Sequence, residues 1–336
     1  MDIYRDYLHT IEKALHSEKD SRGLDENLSD YIQRVSKDFT YKDFKNQISE
    51  TALLPSLESF SNEIGLKPDF DKQLGLHPDF AHLKYSEETE SHYIVSVFID
   101  IKGSTNLFKR YTPETVMIIT NTIQRAAIHT CLIFDGYIHR LHGDGLFVYF
   151  GGKALDMQTA VKRALQSTSI FSYFVKNDLK KLFNEQGIEN IYTRIGIDLG
   201  YELAVLWAKS GIGEISEVTT CSLHTSLASK MQSYAFNNGI VIGDNVLKQD
   251  KSYDGFCTPV CQRTERESDR YIFVDQSHEF RYAQYDFDWL NFLKVQPFIA
   301  SDFEGNPVFK GSAKNTHKNS EDLLPFASRN KPYLNY

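Results

Sequence analysis

The sequence predicts an α+β fold: an antiparallel sheet with helices on one face, extended by a helical N-terminal region and a C-terminal tail. Two observations carry this. From His92 onward, apolar runs that read as strands alternate with stretches of helical periodicity in the order β-α-β-β-α-β, followed by a further helix and strands. That order is the one of a ferredoxin-like core. The chain of 336 residues, 41% hydrophobic, is also long enough for one sizeable core with additions at its ends and short for three domains. The expected organisation is a helical region over 1–90, a main domain over 91–276 and an extension over 277–336.

The elements follow in order. Tyr4, Leu8, Ile11 and Leu15 recur at steps of three and four and make one amphipathic helix. Further helical patterns cover 28–35 and 54–64. A short duplication, Gly-Leu-Lys-Pro-Asp-Phe at 65–70 and Gly-Leu-His-Pro-Asp-Phe at 75–80, has too few copies for a repeat architecture. It reads as two Pro-Asp turns crossing a surface. Residues 93–101 are apolar with few breaks and read as a buried strand. Residues 113–134 read as a helix. Residues 136–150 read as two strands joined by a tight turn at His142-Gly143-Asp144-Gly145. Then come a helix (156–183), a strand (192–205), a helix (222–236), a short strand (240–242) and a closing strand (270–274). The tail is aromatic, then rich in Lys, Asn and Ser, and its last part is expected to be mobile.

Composition narrows the function. With 45 acidic and 37 basic residues the net charge is −8, which suits nucleic-acid binding poorly. Of the four cysteines, the Cys257-x-x-x-Cys261 pair lacks a zinc spacing and a completing cluster, so all four read as reduced. The charged N-terminus does not read as a signal peptide, and no run of about 18 apolar residues stands out. The expectation is a cytoplasmic protein with neither a nucleic-acid nor a membrane partner.

Two aspartates carry the chemistry. Asp100 ends the first strand, in Phe98-Ile99-Asp100-Ile101-Lys102-Gly103-Ser104-Thr105, and Asp144 sits at the hairpin tip. A ferredoxin-like core sets the first strand beside the hairpin, so both carboxylates would share one sheet edge. Close carboxylates repel unless a cation joins them. Mg²⁺ takes oxygen ligands and keeps room for substrate phosphates, with the Ile101 carbonyl as a natural further ligand. The N–H groups of the Gly103-Ser104-Thr105 turn would make an adjoining anion pocket. Metal and phosphate pocket together suit phosphoryl transfer.

The strand–Asp–Gly-Ser-Thr turn, the hairpin Asp 44 positions later and Arg194-Ile195-Gly196-Ile197-Asp198-Leu199-Gly200 together resemble the catalytic domain of class III adenylyl and guanylyl cyclases over about 92–275. The resemblance implies two divalent cations, Mg²⁺ or Mn²⁺, on Asp100, Ile101 and Asp144. It implies attack of the ribose 3′-hydroxyl on the α-phosphorus with loss of diphosphate. It also implies a homodimer whose composite sites join the aspartates of one subunit to the last core helix of the other. On that helix the family carries an asparagine and, four residues later, an arginine. Here Ser226 and Lys230 stand at those places, for the ribose and the transition-state phosphate. Lys keeps the charge of Arg but not its bidentate fork. The base-reading positions hold Arg140 and Thr219, and Arg266 lies where a phosphate-binding cation is expected.

Arg140 only donates hydrogen bonds, and Thr219 is short. A long guanidinium opposite a short hydroxyl suits a pyrimidine better than a purine. More narrowly, the chain looks like the pyrimidine cyclases of the bacterial Pycsar antiphage system. That implies a cyclic CMP or cyclic UMP product, with a slight lean to CTP because Arg140 matches the adjacent O2 and N3 acceptors of cytosine. It also implies a separate effector protein activated by the cyclic nucleotide. The competing readings are an adenylyl or guanylyl cyclase with a divergent pocket, and a non-catalytic nucleotide sensor. A diguanylate-cyclase-like enzyme is a third, disfavoured because Gly143-Asp144-Gly145-Leu146 replaces that family's hairpin signature.

Overall fold

The computed structural model describes residues 2–22, 39–47 and 51–310. The helix expected over 28–35 and the end of the tail lie outside the described residues.

The central strand β1 (Ile94–Lys102) is apolar on both sides because both sides are covered. It pairs antiparallel with β3 (Gly145–Phe150), the second strand of the hairpin that starts with β2 (Tyr137–His142). On its other side it pairs antiparallel with β4 (Tyr192–Gly200). A short ribbon, β5 (Leu206–Ile212) and β6 (Ile215–Cys221), follows. The sheet continues through β7 (Gly239–Gly243), parallel to β4, and then β9 (Phe280–Phe287) and β8 (Tyr271–Asp275). The order is β8-β9-β7-β4-β1-β3-β2. This is the predicted α+β ferredoxin-like core, with a sheet that is mixed rather than wholly antiparallel.

Two long helices cover one face. The first, α4 (Pro113–Ile133), starts where Pro113 cannot donate and Thr112 accepts from the Thr115 amide. The second, α5 (Met157–Tyr173), is capped by Asp156 on the Thr159 amide. In its second half α5 is buried all round. Its hydroxyls there are satisfied by its own turn, as in Thr168 to the Ala164 carbonyl (2.7 Å) and Ser169 to the Leu165 carbonyl (2.6 Å). By length and hydropathy α4 could cross a membrane, but most of it is buried against the sheet and its neighbours.

Earlier in the chain lie α1 (Arg5–Arg22), α2 (Tyr41–Gln47) and α3 (Pro55–Ile64). Tyr4, Tyr7, Ile11 and Leu15 bury into the same core. The Tyr4 hydroxyl meets Thr130 Oγ1 at 2.6 Å, and the Tyr7 hydroxyl meets His129 Nδ1 at 2.6 Å. The predicted amphipathic stripe thus docks on α4.

The opposite face differs from the expectation of helices on one side only. The ribbon β5–β6 and a shorter helix, α6 (Leu223–Tyr234), cover it. Trp207 of β5 is fully buried and stacks on Phe80 with ring centroids 4.1 Å apart. The duplicated turns therefore do more than cross a surface: Phe80 plugs one core and Phe70 packs edge-on against His129. Residues 206–221, which carry no clean strand alternation, form the ribbon. The tail beyond residue 276 supplies the sheet strand β9 and a short helix, α7 (Trp289–Lys294).

His77 and His129 are buried, and burial pushes the pKa of each down to about 4. Their unfolded value is near 6.5. Between those values the unfolded chain binds more protons, so each histidine makes stability fall as pH drops from about 6.5 to about 4. We predict that His129→Gln, which can still bond Tyr7, flattens this acid loss by up to about 1.4 kcal/mol per pH unit. Urea unfolding from pH 4 to 8 measures it. An unchanged slope would contradict a neutral buried His129.

Candidate active site

The hairpin approaches the central strand very closely at Gly145. A β-carbon there would lie 2.6 Å from the Ile99 carbonyl oxygen and 3.5 Å from the Asp100 Cα, so glycine is required. The turn residue Gly143 has φ +60°, and Gln124 Nε2 holds its carbonyl at 3.0 Å. Together these features set Asp144 beside Asp100. One Asp144 carboxylate oxygen is buried without a hydrogen-bond partner. Burial, and then the nearby Asp100 charge, push its carboxyl above the ordinary range, while a hydrogen bond from Ser104 works against the shift.

Asp100 is held by a cross-strand partner. Asp100 and Arg194 are opposed in register, and Arg194 Nε donates to Asp100 Oδ2 at 3.0 Å. Ile101 is the next residue of the strand, opposite Thr193. Gly103 adopts φ +98°, and a β-carbon there would crowd the Asn190 carbonyl at 3.0 Å. Ser104 and Thr105 open a six-residue 3-10 turn, Ser104–Lys109, and the long helix starts only at Pro113.

The second set of predicted residues gathers on the opposite face. Helix α6 begins at Ser222, whose hydroxyl accepts from the His224 amide at 3.2 Å. It lies directly on Gly196 of β4, where a β-carbon would stand 2.1 Å from the Ala228 carbonyl. A buried network fixes its start. Asp198 faces His224 Nδ1 at 2.8 Å and accepts from the Tyr282 hydroxyl at 2.7 Å, and burial raises its pKa. Ser226 and Lys230, four apart, are exposed on one face of α6. Thr219 of β6 and Ser226 line one open groove with Ala208 and Lys209. Thr219 Oγ1 lies 3.0 Å from His139 Nε2, and Arg140 Nε donates to Glu217 Oε2 at 2.6 Å.

The chain therefore carries two clusters. Asp100, Asp144, Ser104 and Arg194 form one; Thr219 and Ser226, on the groove, form the other, with Lys230 one turn beyond Ser226 on α6 and Arg140 outside the groove lining in its ion pair with Glu217. The groove lining includes neither aspartate. Arg266 stands apart from both, paired with Asp269 at 2.7 Å in the loop before the edge strand β8. Two partners escaped the sequence reading. Arg194 figures in the sequence only as part of the Arg194–Gly200 motif, although strand register sets it against Asp100. Glu217 lies two residues before Thr219 on a ribbon that sequence periodicity does not announce.

The carboxylate cluster fits a divalent cation. Among the described residues no group of three or more His, Cys, Asp or Glu gathers to hold one by side chains alone. Two carboxylates and a backbone carbonyl suit a cation that keeps water and substrate oxygens, and the orphaned Asp144 oxygen is a free ligand.

A ferredoxin-like core with an aspartate pair at its hairpin is the layout implied by the resemblance to class III nucleotidyl cyclases. The chain is similar to proteins named cytidylate cyclase. It is 34% identical over 278 residues to one from Staphylococcus aureus, covering 80% of this chain and 62% of the relative. It is 31% identical over 284 residues to one from Escherichia coli, covering 78% of this chain and 61% of the relative. The chain thus spans less than two thirds of the length of the curated relatives it matches. No family model matches it. Among solved structures, the adenylyl cyclase CyaB from P. aeruginosa aligns with a TM-score of 0.49 and 20% identity over 60% of this chain and 95% of that one. The guanylyl cyclase Cya2 aligns with a TM-score of 0.45 and 17% identity over 60% and 92%.

Mn²⁺ at a hundred times its Kd should stabilise the chain by about 2.7 kcal/mol. Asp144→Asn should abolish that gain while leaving the metal-free chain at least as stable, because it removes a buried like charge. Thermal melts with and without Mn²⁺ test this; an equal Mn²⁺ shift in both proteins would rule out Asp144 as a ligand.

Proposed function

We propose that this protein is a cytidylate cyclase, converting CTP to 3′,5′-cyclic CMP and diphosphate in a homodimer. The observation that carries the reading is the homology to proteins named cytidylate cyclase, over a chain that sets Asp144 with an unpartnered buried oxygen beside Asp100. In this reading Asp100, Asp144 and the Ile101 carbonyl hold two divalent cations. When bound there, Mg²⁺ or Mn²⁺ would acidify the 3′-hydroxyl and neutralise charge on the triphosphate.

The chain's own residues do the rest. The Gly103-Ser104-Thr105 turn receives phosphate oxygens, and Ser104 keeps Asp144 in place. Arg194, already beside Asp100, is in reach of the same anion. Across the dimer, Lys230 stabilises charge on the α-phosphate and Ser226 orients the ribose, while Arg140 and Thr219 face the base. Arg266 would reach the phosphates only by leaving Asp269. The nucleophile is carried by the substrate, so no side chain need supply one.

Dimerisation is supported by exposed apolar side chains. Leu203, Ile212 and Ile215, before and at the tip of the β5–β6 ribbon, are 97%, 85% and 88% exposed. In this reading a second copy of the chain covers them. The resemblance to Pycsar cyclases supports a role for the product as a second messenger in antiphage defence, acting on a separate effector.

Purified protein with Mn²⁺ and each of ATP, GTP, CTP and UTP, analysed for cyclic product, tests the reading. We expect cyclic CMP from CTP, reduced at least a thousandfold in Asp144→Ala. Turnover of ATP or GTP alone would overturn the assignment of the base and leave the cyclase; UTP alone would overturn the choice of pyrimidine.

A further inference from the structure

Arg140 reads only part of the pyrimidine edge. A guanidinium donates, and cytosine and uracil both offer acceptors on their Watson–Crick edge. Cytosine presents an amino donor at C4, then the N3 and O2 acceptors. Uracil presents an acceptor at O4, a donor at N3 and an acceptor at O2. Reading the C4 substituent as well requires an acceptor in the protein beside the guanidinium.

The structure has one. Glu217 of β6 meets Arg140 through both of its carboxylate oxygens, with Nε to Oε2 at 2.6 Å. Glu217 and Thr219 are two apart on one strand and so share a face. Arg140 and His139, their partners, are adjacent at the β-bulge of β2. The pair is only partly buried, with the Glu217 side chain 22% exposed and that of Arg140 42% exposed, so a ligand can reach it.

The pairing is built in by the N-terminal segment. The Gly75 amide donates to the His139 carbonyl at 3.0 Å, and the Gly75 carbonyl accepts from the Val218 amide at 2.7 Å. Gly75 thus ties the edge strand β2 to the ribbon. It has φ +67°, and a β-carbon there would lie 2.9 Å from Glu217 Cβ. The second copy of the duplicated turn therefore sets where Glu217 stands.

We propose that Glu217 is the residue that makes the pocket prefer cytosine over uracil: its carboxylate accepts from the C4 amino group while Arg140 donates to N3 and O2. Uracil in the same pose turns O4 toward the carboxylate and N3–H toward the guanidinium, two repulsive contacts. This rests on the cytidylate cyclase reading. It assigns the amino-versus-carbonyl choice alone.

The test is equilibrium binding of CTP and UTP, with cyclic-product analysis, on the full chain and on Glu217→Gln and Glu217→Asp. Glutamine is isosteric and offers both an acceptor and a donor. We expect the wild type to favour CTP by tenfold or more, Glu217→Gln to lose most of that ratio with UTP gaining relative to CTP, and Glu217→Asp to fall between. Aspartate keeps the charge facing Arg140, so it separates loss of the base contact from loss of the fold, and melting temperatures check all three proteins. CTP and UTP weakened in equal proportion would reduce Glu217 to a structural partner of Arg140 and overturn the proposal. A wild type that binds both pyrimidines equally would overturn it as well. A wild type that binds and cyclises only a purine triphosphate would instead sink the cytidylate cyclase reading beneath it.

Discussion

At Gly145 the hairpin backbone presses so closely on the Ile99 carbonyl that no side chain fits between them. That contact is maintained by the sheet itself: β1 is paired on both sides and buried on both faces, so neither it nor the hairpin can drift. The consequence is electrostatic. Asp100 and Asp144 are held beside each other at a cost that neither can relieve by moving away. Arg194 offsets the charge on Asp100, but one oxygen of Asp144 remains buried and unpaired. A packed fold that retains such an unsatisfied group invites a ligand that completes it.

The other cluster is organised by different means. Helix α6 rests on Gly196, and its first turn is pinned by the buried Asp198, His224 and Tyr282. Ser226 and Lys230 project from a helix that is fixed at one end and carried by the same strand, β4, that presents Arg194 on its other stretch. The geometry of each cluster is thus referred to one rigid sheet, which suits a composite site where fractions of an ångström matter.

Much of this was legible in the sequence. The strand before Asp100, the hairpin around Asp144, helix α4 and helix α6 each announce themselves through local periodicity or turn chemistry, and local signals survive whatever the rest of the chain does. What was lost is non-local. Apolar spacing says that one side of 223–234 is buried but not which face of the sheet buries it. The β5–β6 ribbon mixes Lys209, Ser210 and Glu217 with exposed Ile212 and Ile215, so it lacks clean alternation. Phe-Arg-Tyr-Ala-Gln-Tyr-Asp-Phe at 280–287 looks like a tail, yet it becomes a strand by pairing with the neighbouring 271–275 and with the buried strand 239–243 about forty residues upstream. Arg194 against Asp100 and Glu217 against Arg140 depend on register and ribbon placement, which periodicity does not encode.

Under the proposed function Asp100 of one subunit works with Lys230 of the other, and mixing two disabled proteins tests this most directly. Asp100→Ala and Lys230→Ala should each be inactive alone. Mixed in equal amounts and allowed to exchange subunits, half the dimers carry one intact site of two, so roughly a quarter of wild-type activity should return. Two folded, dimeric variants that stay silent together, with exchange confirmed, would contradict a composite site.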